Sequence, residues 1–171
     1  MDANTLIIKL NNLAHVDIAA YHAYRKSTEV IRDDIIRKTF RSFQKDYEKH
    51  VESLANAVKE LNGQPITFNR DLKSFLVEAF NRDFKNFLTS GYIPIRNITS
   101  DINDALKAME KNENIANESY EKALEEDLPQ EIKRTIKAHI KKQKKHLLCI
   151  HKTIKEIDEF SSFTKRRLPR G

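Results

Sequence analysis

Apolar residues recur in this chain at steps of three and four along four long stretches, a period that only helices packed against one another can use. The first stripe runs Leu6, Leu10, Leu13, Asp17, Tyr21, Tyr24, Thr28, Ile31, and the second Phe40, Phe43, Tyr47, His50, Leu54, Ala57, Leu61. The third runs Ile98, Ile102, Ala105, Met109, Glu113, Ala116, Tyr120, Ala123, and the fourth Ile132, Ile136, His139, Gln143, His146, Ile150, Thr153, Ile157. With 3 Gly and 4 Pro in 171 residues there is little turn material for an all-β fold. Helices are predicted at about residues 4–31, 34–62, 98–125 and 130–160. Asn62-Gly63, followed by Pro65, suits a helix C-terminus; Thr99, Ser100 and Asp101 offer N-cap oxygens, and Pro129 suits a first turn.

Loop lengths fix the topology. The first two stripes are separated only by the stretch around Arg32, Asp33 and Asp34, and the last two only by Glu125 to Pro129, so each pair forms an antiparallel hairpin. Between the hairpins, about 35 residues from Gln64 to Asn97 can cross the bundle from end to end. Within that stretch Leu72, Phe75, Leu76, Ala79, Phe80, Phe84, Phe87 and Leu88 predict a further short helix near 70–89, before Gly91 and Pro94 break the pattern. Its phenylalanine face either covers the bundle or contacts a protein partner, a second copy included. The expectation is an all-α, antiparallel four-helix bundle with a long crossover between helices 2 and 3. It forms one domain over residues 1–160, with a basic, disordered tail over 161–171.

Cys149 is the only cysteine, which excludes an intrachain disulfide and suggests the reducing cytoplasm. Apolar runs fall far short of the roughly 20 residues a membrane helix needs. The net charge of +6 is uneven: residues 131–171 carry 13 Lys and Arg against 4 Asp and Glu, and the rest of the chain 18 against 21. Lys133, Lys137, Lys141, Lys144 and Lys145 fall opposite the apolar stripe of the last helix, and a solvated face explains them. Nucleic-acid binding is disfavoured, because no aromatic residues interleave with these lysines. There is no glycine-rich phosphate loop, and Cys149 and His151 do not face each other on a helix.

Polar residues interrupt the stripes at one depth. Two frames, Tyr47-x-x-His50 and Gln143-x-x-His146, lie about 96 residues apart in the middle of the second and fourth stripes. At 1.5 Å per residue, Asp17 and His50 sit roughly 25 Å from the turn of the first hairpin, and Glu113 and Gln143 roughly 21–24 Å from the turn of the second. In helices of about 42 Å, all of them meet near the midplane. Buried charges need partners or a metal. Asp17, His50, Glu113 and His146 combine two carboxylates with two imidazoles and can hold one divalent ion (Fe, Mn or Zn). Tyr47 and Gln143 are placed to hydrogen-bond around such ligands, with Asp46, one position off the stripe, and His139, one turn before Gln143, as weaker candidates. A metal-free hydrogen-bonded network is the competing reading, because a buried histidine is often simply neutral and paired.

Taken together, Val16-Asp17-Ile18, Ala23-Tyr24, Asp46-Tyr47-Glu48-Lys49-His50-Val51 and Leu61-Asn62-Gly63-Gln64-Pro65 resemble an uncharacterised bacterial branch of the ferritin-like superfamily, a domain family of unknown function. Asn112-Glu113, Tyr120-Glu121-Lys122-Ala123-Leu124, Asp127-Leu128-Pro129 and Lys145-His146-Leu147 continue the resemblance over nearly the whole chain. It implies a di-metal carboxylate site built on two Glu-x-x-His frames. Here Tyr47 and Gln143 stand where those glutamates belong, and Arg25 and Lys142 replace further acidic positions, so the site is degenerate. The implied role is metal or oxidative-stress handling with one ion, without two-iron oxidase chemistry and more in the manner of a binding protein than an enzyme. A metal-free bundle acting through protein–protein contact is the alternative, ahead of a basic bundle that coats nucleic acid.

Overall fold

The protein is described from a computed structural model covering residues 1–68 and 102–167, which holds four helices among those residues. They are α1 (Ala3–Val30), α2 (Asp34–Glu60), α3 (Ile102–Leu124) and α4 (Gln130–Arg167). The helix expected near 70–89, its phenylalanine face and the N-cap residues Thr99 to Asp101 lie outside the described residues.

Local chemistry sets the helix ends. The Asp2 carboxylate accepts from the Thr5 N–H at 3.0 Å and the Asp33 carboxylate from the Ile36 N–H at 2.9 Å, each satisfying an otherwise unpaired first-turn donor. The cap at Asp33 lets three residues, Ile31 to Asp33, reverse the chain between α1 and α2. At the end of α2 the Asn62 N–H donates to the Lys59 carbonyl and the Gly63 N–H to the Val58 carbonyl, both at 2.9 Å. This is a Schellman closure with Asn62 in the left-handed region, φ 58°. Glycine follows because a Cβ at Gly63 would stand 2.8–3.0 Å from the Ile7 side chain. The predicted C-terminal pair at Asn62-Gly63 thus has its physical basis in both residues.

Residue pairings give the directions. Asp17 meets His50 and Tyr24 meets Phe40, so α1 and α2 are antiparallel. Tyr24 meets Glu113 and Tyr120 meets Asp17, so α1 and α3 are antiparallel too. Asp46 meets His146 and His50 meets His139 across α2 and α4. It follows that α2 and α3 run parallel, as the fold with one end-to-end crossover requires.

Two apolar clusters fill the bundle. One, with Phe40, Leu106, Met109 and Ile150, lies toward the α1–α2 turn; the other, with Leu10, Leu54, Leu128 and Ile136, lies toward the opposite end. Between them lies a polar layer. Asp17, Glu113 and Gln143 are each at most 1 % exposed, and His50, His139 and His146 are also buried.

α4 continues through Ser161 and Ser162 to Arg167, where a disordered tail from residue 161 was expected. No glycine or proline interrupts the chain between Pro129 and Pro169. The i,i+4 pairs Lys152–Glu156 and Lys155–Glu159, both 3.8 Å, add modest support one to two turns earlier. Lys137, Lys141, Lys144 and Lys145 are exposed, and Lys144 pairs with Glu121 at 2.7 Å, as a solvated face would. No helix among the described residues is long and apolar enough to cross a membrane.

Candidate metal centre

The six polar residues predicted to converge are all buried, and contacts divide five of them into two groups, with Gln143 making no hydrogen bond among the described residues. In the first, Asp17 of α1 lies with its Oδ1 3.9 Å from His50 Nδ1 of α2, and Tyr120 of α3 donates its hydroxyl proton to Asp17 Oδ2. Tyr120 Oη is also 3.2 Å from His139 Nδ1 of α4. The one hydroxyl proton is engaged by Asp17, so His139 Nδ1–H donates to the Tyr120 oxygen and the lone pair of its imidazole sits on Nε2. The His50 and His139 rings stack, 3.9 Å between centroids and 12° between planes. Asp17, His50 and His139 each offer a ligand atom within 4.8 Å of the others, all three residues being buried. His139, a weaker candidate in the sequence, is therefore central to this group.

Burial sets the electrostatics here. Desolvation raises the Asp17 carboxyl above its ordinary range, against the pull of its contacts with His50 and Tyr120. The same burial, with the neighbouring His50, lowers His139 from 6.5 to about 3, which keeps it neutral and available as a ligand. Burial beside carboxylates pushes the Tyr47 and Tyr120 hydroxyls well above their usual range, so they act as donors and not as phenolates.

The second group centres on Glu113 of α3. Tyr24 donates to its Oε1, Tyr47 donates to its Oε2 at 2.8 Å, and His146 Nδ1 lies 3.3 Å from Oε1. His146 Nε2 lies 3.1 Å from Asp46 Oδ2, and the Lys142 ammonium donates to Asp46 Oδ1 at 3.2 Å. Partial burial raises Asp46, but the bonds from His146 and Lys142 outweigh it and hold the carboxyl below its ordinary value. Asp46, off the apolar stripe, thus reaches across to α4.

The donor set of the Asp17 group fits a metal ion. Asp17 Oδ1, His50 Nδ1 and both amide atoms of Gln143 are buried with no hydrogen-bond partner among the described residues, an orphaned donor set of the kind a cation satisfies. Four-coordinate ligands at bonds of about 2.1 Å stand roughly 3.4 Å apart, so the Asp17 group needs to contract by little more than an ångström. Sequence reasoning missed Phe43, whose ring stacks on His146 at 4.0 Å. It also left the acid partners of Tyr24 and Tyr120 unassigned; a tyrosine seven residues after each core acid was the available signal.

No curated protein sequence matches the chain. Among solved structures it is similar to the protein described as a dodecameric thioferritin, the bacterioferritin-related protein from Bacteroides fragilis. That match has a TM-score of 0.72 and 15% identity, covering 95% of this chain and 91% of the other. A hypothetical protein from Pyrococcus furiosus matches with a TM-score of 0.64 and 16% identity over 90% and 91%. A ferritin-like, diiron-carboxylate protein from Bacillus anthracis str. Ames matches at 0.54 and 18% over 94% and 99%. At these identities the likeness shows the fold, which is ferritin-like. Residues 5–126 match the family described as a domain of unknown function, DUF2383, and the chain belongs to that family.

Proposed function

We propose that this protein handles a divalent metal ion, taking one ion per chain into the polar layer, where Asp17, His50, Glu113 and His146 are the expected ligands and His139 joins the first two. One observation carries this reading: Asp17, His50 and His139 gather buried ligand atoms within 4.8 Å, two of the three residues presenting atoms without a hydrogen-bond partner among the described residues. Burying a carboxylate costs free energy that a cation offsets. Bound there, an Fe, Mn or Zn ion would supply Lewis-acid or, for Fe and Mn, redox chemistry. The chain's own residues fix the ligands, with Tyr120 orienting both Asp17 and His139, and the apolar clusters keep water from the layer.

The absence of bridging glutamates argues against two-iron oxidase chemistry, because a second ion would leave excess positive charge in a low-dielectric core. The cytoplasm is the compartment that suits the lone thiol of Cys149. Self-association, as described for the dodecameric Bacteroides fragilis neighbour, belongs to the same reading and is measurable by light scattering. The main test is metal analysis of protein purified without an affinity tag, together with anaerobic ferrous titration followed by air. One ion per chain is expected. Two irons with fast oxidation, or no retained metal under any loading condition, would overturn the proposal and, in the second case, favour a metal-free bundle.

A further inference from the structure

The two hairpins are related position by position at a spacing of 96 residues. Asp17 corresponds to Glu113, Tyr24 to Tyr120, Phe43 to His139, Asp46 to Lys142, Tyr47 to Gln143 and His50 to His146. The contacts obey the same relation. Tyr24 of α1 donates to Glu113 of α3 while Tyr120 of α3 donates to Asp17 of α1. Phe43 of α2 stacks on His146 of α4 at 4.0 Å while His139 of α4 stacks on His50 of α2 at 3.9 Å. The layer is thus a pseudo-twofold pair of half-sites, and its chemistry lies in where the symmetry fails.

It fails at three related places, all in one direction. The ring stacked on His50 is an imidazole, whereas the ring stacked on His146 is a phenyl with no donor atom. Asp17 has one oxygen bonded to tyrosine and the other without a hydrogen-bond partner among the described residues, whereas both Glu113 oxygens accept tyrosine hydroxyls because Tyr47 adds a second one. Gln143, at the position related to Tyr47, leaves both amide atoms without a partner among the described residues. It lies one turn from His139 on the same stripe, where i,i+4 side chains are neighbours. Around His146, Nε2 already bonds the Asp46 carboxylate at 3.1 Å, and Nδ1 lies 3.3 Å from Glu113 Oε1 but has no hydrogen-bond partner among the described residues.

We infer that the metal ion is taken by one half only, through Asp17, His50 and His139 with the Gln143 carbonyl oxygen as fourth donor, while the Glu113 half is closed by its tyrosines. This rests on the proposed metal-handling function and narrows its ligand set, with His139 and Gln143 taking the places of Glu113 and His146. An ion entering the Glu113 half must first break two tyrosine bonds, whereas one entering the Asp17 half meets Asp17 Oδ1, His50 Nδ1 and the Gln143 amide, which have no hydrogen-bond partner among the described residues. Two imidazoles among the ligands select a first-row ion such as Zn²⁺, Fe²⁺ or Co²⁺ over Mg²⁺ or Ca²⁺.

The test is titration of the chelator-stripped full chain with Co²⁺, followed by visible absorption and equilibrium dialysis. The expected result is one Co²⁺ per chain with a four-coordinate spectrum. His139→Phe, which installs the residue already present at the related position, should weaken binding on the order of 100-fold, and Gln143→Leu about tenfold with an altered spectrum. Proton NMR of the unsubstituted cobalt protein gives a readout that no folding defect can confuse: two paramagnetically shifted imidazole N–H signals, from His50 and His139. A shifted signal from His146, or tight binding that survives His139→Phe and is lost in Glu113→Gln, would overturn the inference while leaving one-ion metal handling intact. Binding of no Co²⁺ would sink both.

Discussion

Tyr47 donates its hydroxyl proton to Glu113 Oε2 at 2.8 Å, turning a position that resembles a bridging ligand into a cap on the carboxylate across the bundle. Tyr47→Phe keeps the ring and removes the donor, leaving a buried carboxylate oxygen unsatisfied. The variant should lose about 1–3 kcal/mol of stability by urea denaturation, with an unchanged slope. A loss too small to measure would mean that water or another donor reaches Glu113.

Gly63 is held by space and not by its own backbone angle. Gly63→Ala would drive a methyl group into the Ile7 side chain, within 2.8–3.0 Å, and should cost about 1–3 kcal/mol. Ile7→Ala in the same chain should recover part of that loss. A double variant no more stable than Gly63→Ala would show that the cost arises elsewhere.

Acid should destabilise the metal-free protein through His139. Its folded pKa of about 3 lies below its ordinary 6.5, so the neutral form is favoured on folding; the stabilisation is full above pH 6.5 and is lost as pH falls toward 3. The Asp17 carboxyl, raised on folding, works in the opposite sense: its contribution is full below about pH 3.8 and is lost as pH rises through its folded value. Stability against pH for His139→Phe should therefore have a flatter limb between pH 6.5 and 3 than the unsubstituted chain. The difference in slope should not exceed about 1.4 kcal/mol per pH unit, the limit for one proton. Parallel limbs would show that His139 does not stay neutral on folding.

Zinc should raise the melting temperature by mass action. At a free concentration one hundred times the dissociation constant, the stabilisation is about 2.7 kcal/mol. Differential scanning calorimetry should record this shift for the unsubstituted chain and little or none for Asp17→Asn. An equal shift in both would place the bound ion away from Asp17.

The helices and their pairing were legible because the stripe period, the two short connections and the C-terminal pair Asn62-Gly63 are local properties of the chain. The polar layer was legible too, since depth along a helix is a count multiplied by its rise. What the stripe could not convey is rotation about the helix axes and choice of rotamer. Those decide that His139 faces His50 and that Asp46, off the stripe, reaches His146 and Lys142. α4 extends beyond residue 160, where a basic tail was expected, because serine disfavours a helix only weakly compared with glycine or proline.

The crossed bonds from Tyr24 to Glu113 and from Tyr120 to Asp17 mean that neither hairpin supplies the hydroxyl its own buried acid requires. A hairpin folded alone would carry an acid short of its donor into an apolar interface, and docking against its counterpart is what removes that defect. The chain is thereby committed to an all-or-none unfolding transition, and half-assembled bundles are selected against at the same layer that offers ligands to a cation. Because the dependence is mutual, two copies that exchanged hairpins would satisfy every one of these bonds, so a swapped dimer is the one misassembly that this layer does not penalise.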